Sequence, residues 1–480
     1  MKKILLLLCV VFAFVVSVFG TDSRIASLGI PAWMVYDDDA LVKLYPGLVA
    51  DSKNTIVFNS NSSIILDSIS MFDLMFVIMG GGSPDVSIIN KITIPESGYI
   101  TLNLNSFVLG VFAFPYKGVL LYKPSTMVLD NLVTNSVGGA THTVFCPDRV
   151  YGVLFGLGID DLSIGATLGI GDKSSSYKEK YENSGSKDFD EMTNSSLAIN
   201  LGIGASMPIF DLGINVSLPM VDNKGTTSFF DDTIDKTTIY MNETVKTDSG
   251  YDLGVNARVI LSSIIIGGEF AMDNVKLVNI QQRDRSSPYD GDFTDASDNN
   301  EKEVYGRNIM QIKGGVSGNL SLASDKITLI PGLMVNYTTI NQINEYTNIN
   351  TSSSVYDSFE INLTMMSIAL NLSAEGKISD ALVARAGISK NVYNNMKVEI
   401  INNISGGTKL DPARKQIIEL AYLNSINLSG GISVNIGAAT VEATVTGGIN
   451  IDNLPIADIG SLNIKIPGSI ASQISAKYTF

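Results

Sequence analysis

The sequence predicts an all-β protein, a transmembrane antiparallel β-barrel, and three observations predict it. Apolar residues recur with period two from about residue 150 to the end, very short turns alternate with long polar segments, and the chain stops on phenylalanine in register with its last alternating run. Composition agrees. Only 17% of the 480 residues are charged, against about 25% in a soluble average, and 45% are hydrophobic. No stretch beyond the extreme N-terminus is apolar enough for a spanning helix. With 33 Lys+Arg against 48 Asp+Glu and a net charge of −15, no basic patch exists for nucleic-acid phosphates.

The N-terminus reads as an export signal over residues 1–20. Lys2 and Lys3 precede the apolar run Ile4 to Phe19, and Val18-Phe19-Gly20 offers a cleavage site. Removing it also removes Cys9, which leaves Cys146 as the mature chain's only cysteine and excludes an intramolecular disulfide. Residues 21–53 do not alternate and form a separate N-terminal plug or periplasmic segment; residues 54–480 form the barrel.

Alternation defines the strands. Leu197, Ile199, Leu201, Ile203, Ala205 and Met207 share one parity, and Ala198, Asn200, Gly202, Gly204 and Ser206 the other. The runs from Leu162, Leu212 and Val441 repeat the pattern, with an aliphatic face against one of Gly, Ser, Thr and Asn. A soluble sandwich would alternate too, so connection lengths decide. Short turns lie near Asp160-Asp161, Pro208 to Asp211, Ser262-Ser263, Ser324 to Lys326, Ser379-Asp380 and Ile436 to Ala438. Long polar loops separate them, at Asp172 to Glu191, Asp222 to Asp248, Gln281 to Val304, Gln342 to Tyr356, Asn391 to Ala413 and Asp452 to Pro467. This segregation of turns to one rim and loops to the other belongs to a membrane barrel. About thirteen strands follow residue 150, and closure favours an even number. Thr55 to Ser60, Tyr99 to Leu104 and Phe107 to Pro115 are candidates for the rest, giving about 14 strands, with 16 the alternative. The change of apolar parity at Met365-Met366 predicts a bulge.

In the last strand Ile470, Ile474, Ala476, Tyr478 and Phe480 share one parity. The arrangement looks like the C-terminal signal read by the outer-membrane barrel-assembly machinery, which places Tyr478 and Phe480 in a membrane-assembly role and the protein in the bacterial outer membrane, with membrane lipid as a partner.

The N-terminal segment runs Arg24, Leu28, Gly29, Ala32, Trp33, Asp37, Asp38, Asp39, Pro46, Gly47, Leu48. This order resembles the N-terminus of the long-chain fatty-acid transporter (FadL-like) superfamily of outer-membrane barrels, including type IX secretion barrel subunits. Those chains carry an Arg-x-x-x-Leu-Gly-Gly-Ala element, an Asp-Asp pair and an Asn-Pro-Ala-Gly-Leu turn. Here Ile30 stands for the second Gly, Tyr45 for the Asn, and the Ala after Pro46 is missing. The resemblance implies a plug inside the barrel and about 14 strands. Independently, three consecutive acids cannot lie against lipid, so the segment belongs in the lumen or in water. Asp37 to Asp39 are expected to pair with lumen bases such as Arg258, Lys313, Arg385 or Lys477. Trp33 is expected to pack against the plug or wall, and girdle duty falls to residues such as Tyr151, Tyr251, Tyr337 and Tyr422.

The chemistry-bearing residues argue against an enzyme. His142 is the one histidine; Thr141 and Thr143 flank it and no Ser motif marks a partner. His142 and Cys146 are too few and too far apart along a strand to hold a metal. Asp290, Asp292, Asp295, Asp298 and Glu301 lack EF-hand spacing and read as a solvated loop. No cofactor is expected. The functional surface is the lumen face, with Gly202, Gly204, Gly213, Asn215, Asn256 and Asn319, the acids Glu269, Glu360, Glu419 and Glu442, and the bases Arg258, Lys313, Arg385 and Lys477. Two functions fit: a transporter or channel for a hydrophobic or small solute, or a non-transporting barrel that anchors a surface or secretion protein.

Overall fold

The computed structural model describes residues 22–36, 39–65, 97–105, 107–115, 149–183, 186–231, 236–283, 299–322, 326–348, 355–404, 414–421, 425–451, 464–465 and 469–480. Among the described residues, 16 antiparallel strands form one closed sheet. They are β1 (Thr55–Ile65), β2 (Ser97–Asn103), β3 (Phe107–Pro115), β4 (Arg149–Ile159), β5 (Leu162–Asn183), β6 (Ser186–Met207), β7 (Phe210–Asp231) and β8 (Lys236–Leu261). There follow β9 (Ile264–Arg283), β10 (Asn299–Gly318, continued by Leu320–Leu322), β11 (Ile327–Asn348), β12 (Val355–Lys377) and β13 (Leu382–Ile404). The last three are β14 (Arg414–Ala421, continued by Ser425–Ile436), β15 (Ala439–Ile451) and β16 (Ile464–Lys465, continued by Ser469–Thr479). Each pairs with its chain neighbour, and β1 closes on β16 from Thr55 opposite Thr479 to Ile65 opposite Ser469.

All three early candidates are strands, so the number is the alternative of 16 rather than 14. In β1 the run Asn59 to Ser63 is polar on both parities, which hides it from a periodicity argument.

Burial follows the predicted parities. Leu201, Ile203, Leu218 and Met220 are exposed on the outer face, while Gly202, Gly213 and Ser217 are buried facing inward. The expected long loops are a different matter. Most of their residues continue the strands: β5 runs 22 residues, β8 26 and β12 23, well beyond the roughly 10 that cross a bilayer. Alternation disappears there because both faces leave lipid, while the backbone ladder continues. β1 to β4 run only 7 to 11 residues, so β5 to β13 stand as a tall wall on one side.

The bulge expected at Met365-Met366 is absent. Both residues pair regularly with Thr338 and Tyr337 on one side and Met396 and Asn395 on the other. Parity of apolarity changes because Ile361, at 1% exposure, turns inward above the membrane whereas Met366, Leu370 and Leu372 face lipid. The register shift of this pair lies at Ile368/Ala369, opposite Tyr393 and Asn391.

The apolar core is formed by the N-terminal segment. Helix α1 (Asp22–Leu28) stops at Gly29, whose φ of +63° and amide bond to the Ile25 carbonyl (3.0 Å) close the last turn. Three 3-10 turns follow, at Ala32–Met34, Asp39–Lys43 and Pro46–Ala50, the last opened by Pro46 where a missing N–H costs nothing. Leu28, Trp33, Met34, Leu41 and Tyr45 pack with Ile330 of the wall, and Val42 and Val49 pack with Val57, Tyr99, Phe112 and Leu154. Trp33 is 1% exposed and belongs to this core, as expected.

Candidate functional site: the plugged lumen

The plug lies at the rim of short turns. Its wall contacts fall within about eight residues of those turns, some 26 Å along a strand at ~3.3 Å per residue. Lumen-facing glycines make room for it. A Cβ on Gly165 would strike the Pro46 carbonyl, one on Gly213 the Leu44 carbonyl, one on Gly387 the Leu28 carbonyl, and one on Gly156 the Ala50 backbone. Gly204 lies under Gly47 itself, and a Cβ on Gly47 would in turn meet the backbone of Ala205 and Ser206. Pro46 and Gly47 are thus where plug and wall approach most closely.

Wall side chains hold the plug by its backbone. Ser373 donates to the Leu28 carbonyl (2.6 Å), Thr444 to Ser23 (2.7 Å) and Ser317 to Met34 (2.9 Å). Thr101 donates to the Ser52 carbonyl. Arg258 does most. It is 3% exposed, pairs with Asp211 at 2.6 Å, and donates to the carbonyls of Val35 and Tyr36 (3.3 Å for the latter). Its guanidinium also sits 5.1 Å over the Tyr45 ring. Burial pushes the Tyr45 hydroxyl far above its ordinary range, with Arg258 acting against the shift, so the phenol stays neutral.

A second anchor is ionic. Arg24 of α1 pairs with Glu375 (3.0 Å), which also accepts from Arg385; Arg385 in turn donates to Glu442 at 2.8 Å. Lys313 pairs with its register partner Glu269 at 3.2 Å. The bases proposed for the Asp37 to Asp39 run are therefore bonded differently. Arg258, Lys313 and Arg385 have wall carboxylates, while Asp37 and Asp38 lie outside the described residues and Asp39 opens a 3-10 turn. Lys477 is half-buried on the inward parity, opposite the buried Val57.

Two expected lumen acids lie elsewhere. Glu360 points outward, with its inward neighbour Ile361 buried, and it accepts from Asn341 (3.1 Å) and Asn362 (2.7 Å). The register partner of Glu419 is the exposed Lys397, on the outward parity. Glu360 falls above the lipid, where outward-facing charge meets water; parity read within the membrane band does not carry over.

Asp211, Glu375 and the pair Arg307–Asp273 (3.4 Å) were missed by the sequence reading. Asp211 was read as a turn residue, but it shares parity with Gly213 and Asn215, the signal that could have found it. Glu375 likewise shares parity with Asn371 and Ser373. His142, Cys146 and Asp290 to Asp298 lie outside the described residues, as does the export signal. Among the described residues, no cluster of His, Cys, Asp and Glu is arranged to hold a metal ion.

A closed antiparallel sheet with an apolar outer belt, a polar lumen and an internal N-terminal segment defines the class: a plugged transmembrane β-barrel of the outer-membrane type. No protein-family model and no curated protein sequence matches the chain. Solved structures similar to it include the CymD monoaromatic hydrocarbon channel (11% identity, 96% of this chain and 98% of that one, TM-score 0.37). A Pseudomonas aeruginosa FadL homologue (10%, 97% and 100%, 0.37) and the P. putida toluene transporter TodX (9%, 93% and 95%, 0.33) are also similar.

Proposed function

We propose that this protein is an outer-membrane channel for hydrophobic or small solutes, closed at the periplasmic mouth by residues 22–50. The observation that carries the reading is a stopper seated at the short-turn rim with open space in the lumen above it. On the tall wall the inner face mixes apolar and polar side chains: Val221, Val275, Leu277 and Ile361 turn inward beside Tyr305, with Ser196 opposite Val221, Arg307 opposite Val275 and Gln342 opposite Ile361. The charges of the lining are balanced in pairs, Arg307–Asp273 and Lys313–Glu269. Gly254, inward-facing two residues beyond Asn256, has nothing within 4 Å, so space remains above the plug. Apolar side chains set among charge-balanced polar groups above a removable stopper suit a hydrophobic or small solute.

Refolded protein in liposomes tests this. Wild type should take up a small aromatic hydrocarbon slowly and conduct little, and deletion of residues 22–50 should raise conductance at least about tenfold, because barrels of about 16 strands enclose an aqueous channel when unplugged. Neither uptake nor conductance in either form would overturn the channel and favour the anchoring barrel.

The C-terminus is read as the assembly signal. Tyr478 and Phe480 are exposed on the outer face at the short-turn rim, their rings 6.2 Å apart, and the Phe480 amide donates to the Asn54 carbonyl across the closing seam (3.0 Å). Deleting Phe480 is expected to lower the heat-modifiable barrel several-fold in cells. Wild-type levels of that variant would show that assembly does not read this residue.

A further inference from the structure

One row of residues on the outer face is built from amides. Asn274 of β9, Asn308 of β10, Asn341 of β11 and Asn362 of β12 are register partners in unbroken succession, and Glu399 of β13 extends the row. All four asparagines are partly exposed, whereas the inward neighbours Asp273, Gln342 and Ile361 are at most 9% exposed. The row is organised by its own bonds: Asn341 donates to Asn362 at 2.6 Å, and both donate to Glu360.

Depth comes from the strands. On β11 the outward residues Ile327, Leu333, Val335 and Tyr337 precede Thr339 and Asn341; on β9, Ile264, Ile266, Phe270 and Met272 precede Asn274. The row thus begins where the apolar span of about 9 to 11 residues ends. Tyr251, an interfacial residue type, is the register partner of Asn274. At this depth a barrel meets the headgroups of the outer leaflet.

The chemistry of the four amides is neutral and two-sided. Each amide donates and accepts, and strand spacing sets them about 4.8 Å apart. A phosphate site would call for Lys or Arg, but the row has neither, and adjacent Lys276 is paired with Asp248 at 3.2 Å, so the row matches the sugars of a glycolipid rather than its phosphates. Sugar hydroxyls also donate and accept. Beside Asn308, Gly306 leaves a notch between Lys276 and Ile343. A Cβ at Gly306 would meet only the Ile343 carbonyl, 4.0 Å away, so the protein's own packing does not demand glycine there. The notch gives a sugar ring access to the sheet surface and the apolar flank of Ile343.

We propose that this face of β9 to β12 binds the saccharide headgroup of an outer-leaflet glycolipid, with Asn274, Asn308, Asn341 and Asn362 as the hydrogen-bonding row and Gly306 as the ring-sized notch. The site is separate from the lumen and stands whether or not the barrel conducts.

Full-length barrel in detergent is mixed with phosphatidylethanolamine vesicles with and without rough lipopolysaccharide, and retained lipid is measured by mass spectrometry. Wild type should retain lipopolysaccharide at least about tenfold over phospholipid, and delipidated core oligosaccharide should compete. Asn308→Val with Asn341→Val, a change to strand-favouring residues, should lower retention about tenfold with heat-modifiable migration intact. Gly306→Val, which fills the notch alone, should lower it several-fold and covers the case in which the double variant fails to assemble. Equal retention of both lipids by wild type, or undiminished retention by Gly306→Val, overturns the proposal.

Discussion

Arg258→Met should release the middle of the plug and destabilise the barrel at once. Asp211, 2% exposed at its side chain, would lose its cation and keep only the Ser206 hydroxyl as donor, and breaking a buried pair in this way costs about 3–5 kcal/mol. The carbonyls of Val35 and Tyr36 would lose their donor too. Limited proteolysis should cut within residues 31–45 of the variant and leave wild type intact, and urea unfolding should begin at lower concentration. The double variant Arg258→Met with Asp211→Leu separates the two effects. Replacing both charges by apolar groups should restore most of the wall's stability while the plug stays cleavable. Resistance of both variants to proteolysis would mean that the glycine belt alone seats the plug.

Gly165→Val with Gly213→Val should expel the plug from β5 to β7 and open the pore. The new side chains would occupy the places of the Pro46 and Leu44 carbonyls, backbone atoms that cannot swing aside. Overpacking costs about 1–3 kcal/mol per site in ordinary cores, and valine suits a strand, so the plug rather than the sheet should yield. Single-channel conductance should approach that of the 22–50 deletion. Gly254→Val is the control: it also faces the lumen, but nothing lies within 4 Å of its Cβ, and its conductance should stay at the wild-type level. A double variant that conducts like wild type would show that the plug can shift without opening a path.

Much of this architecture is legible in the residues. Within the membrane, lipid and lumen impose opposite demands on alternate positions, so the parity of Leu201 and Gly202 is fixed by chemistry alone. Above the membrane water lies on both sides, and the same rule misplaced Glu360 and turned strand residues into loops. Charge alone marked Arg258 and Arg385 as lumen bases, but their partners Asp211 and Glu375 depend on register, which no local pattern reveals. The plug's glycine belt was visible as glycines on the inner parity. That they accommodate a backbone, rather than simply widening the lumen, required knowing where residues 44–50 run.

The closing seam also sets an order of events. β1 and β16 are the first and last strands, and their pairing from Thr55–Thr479 onward joins the most distant parts of the described chain. Such non-local contacts form late, after hairpins with short turns have zipped. The plug immediately precedes β1 and touches both β4 to β7 and β12 to β16, so it bridges the two flanks of the seam. The carbonyl clasps from Thr101 on β2 and Thr444 on β15 therefore tie the two sides of the seam together through the plug, a strap across the one joint that sequence-local hairpins cannot make.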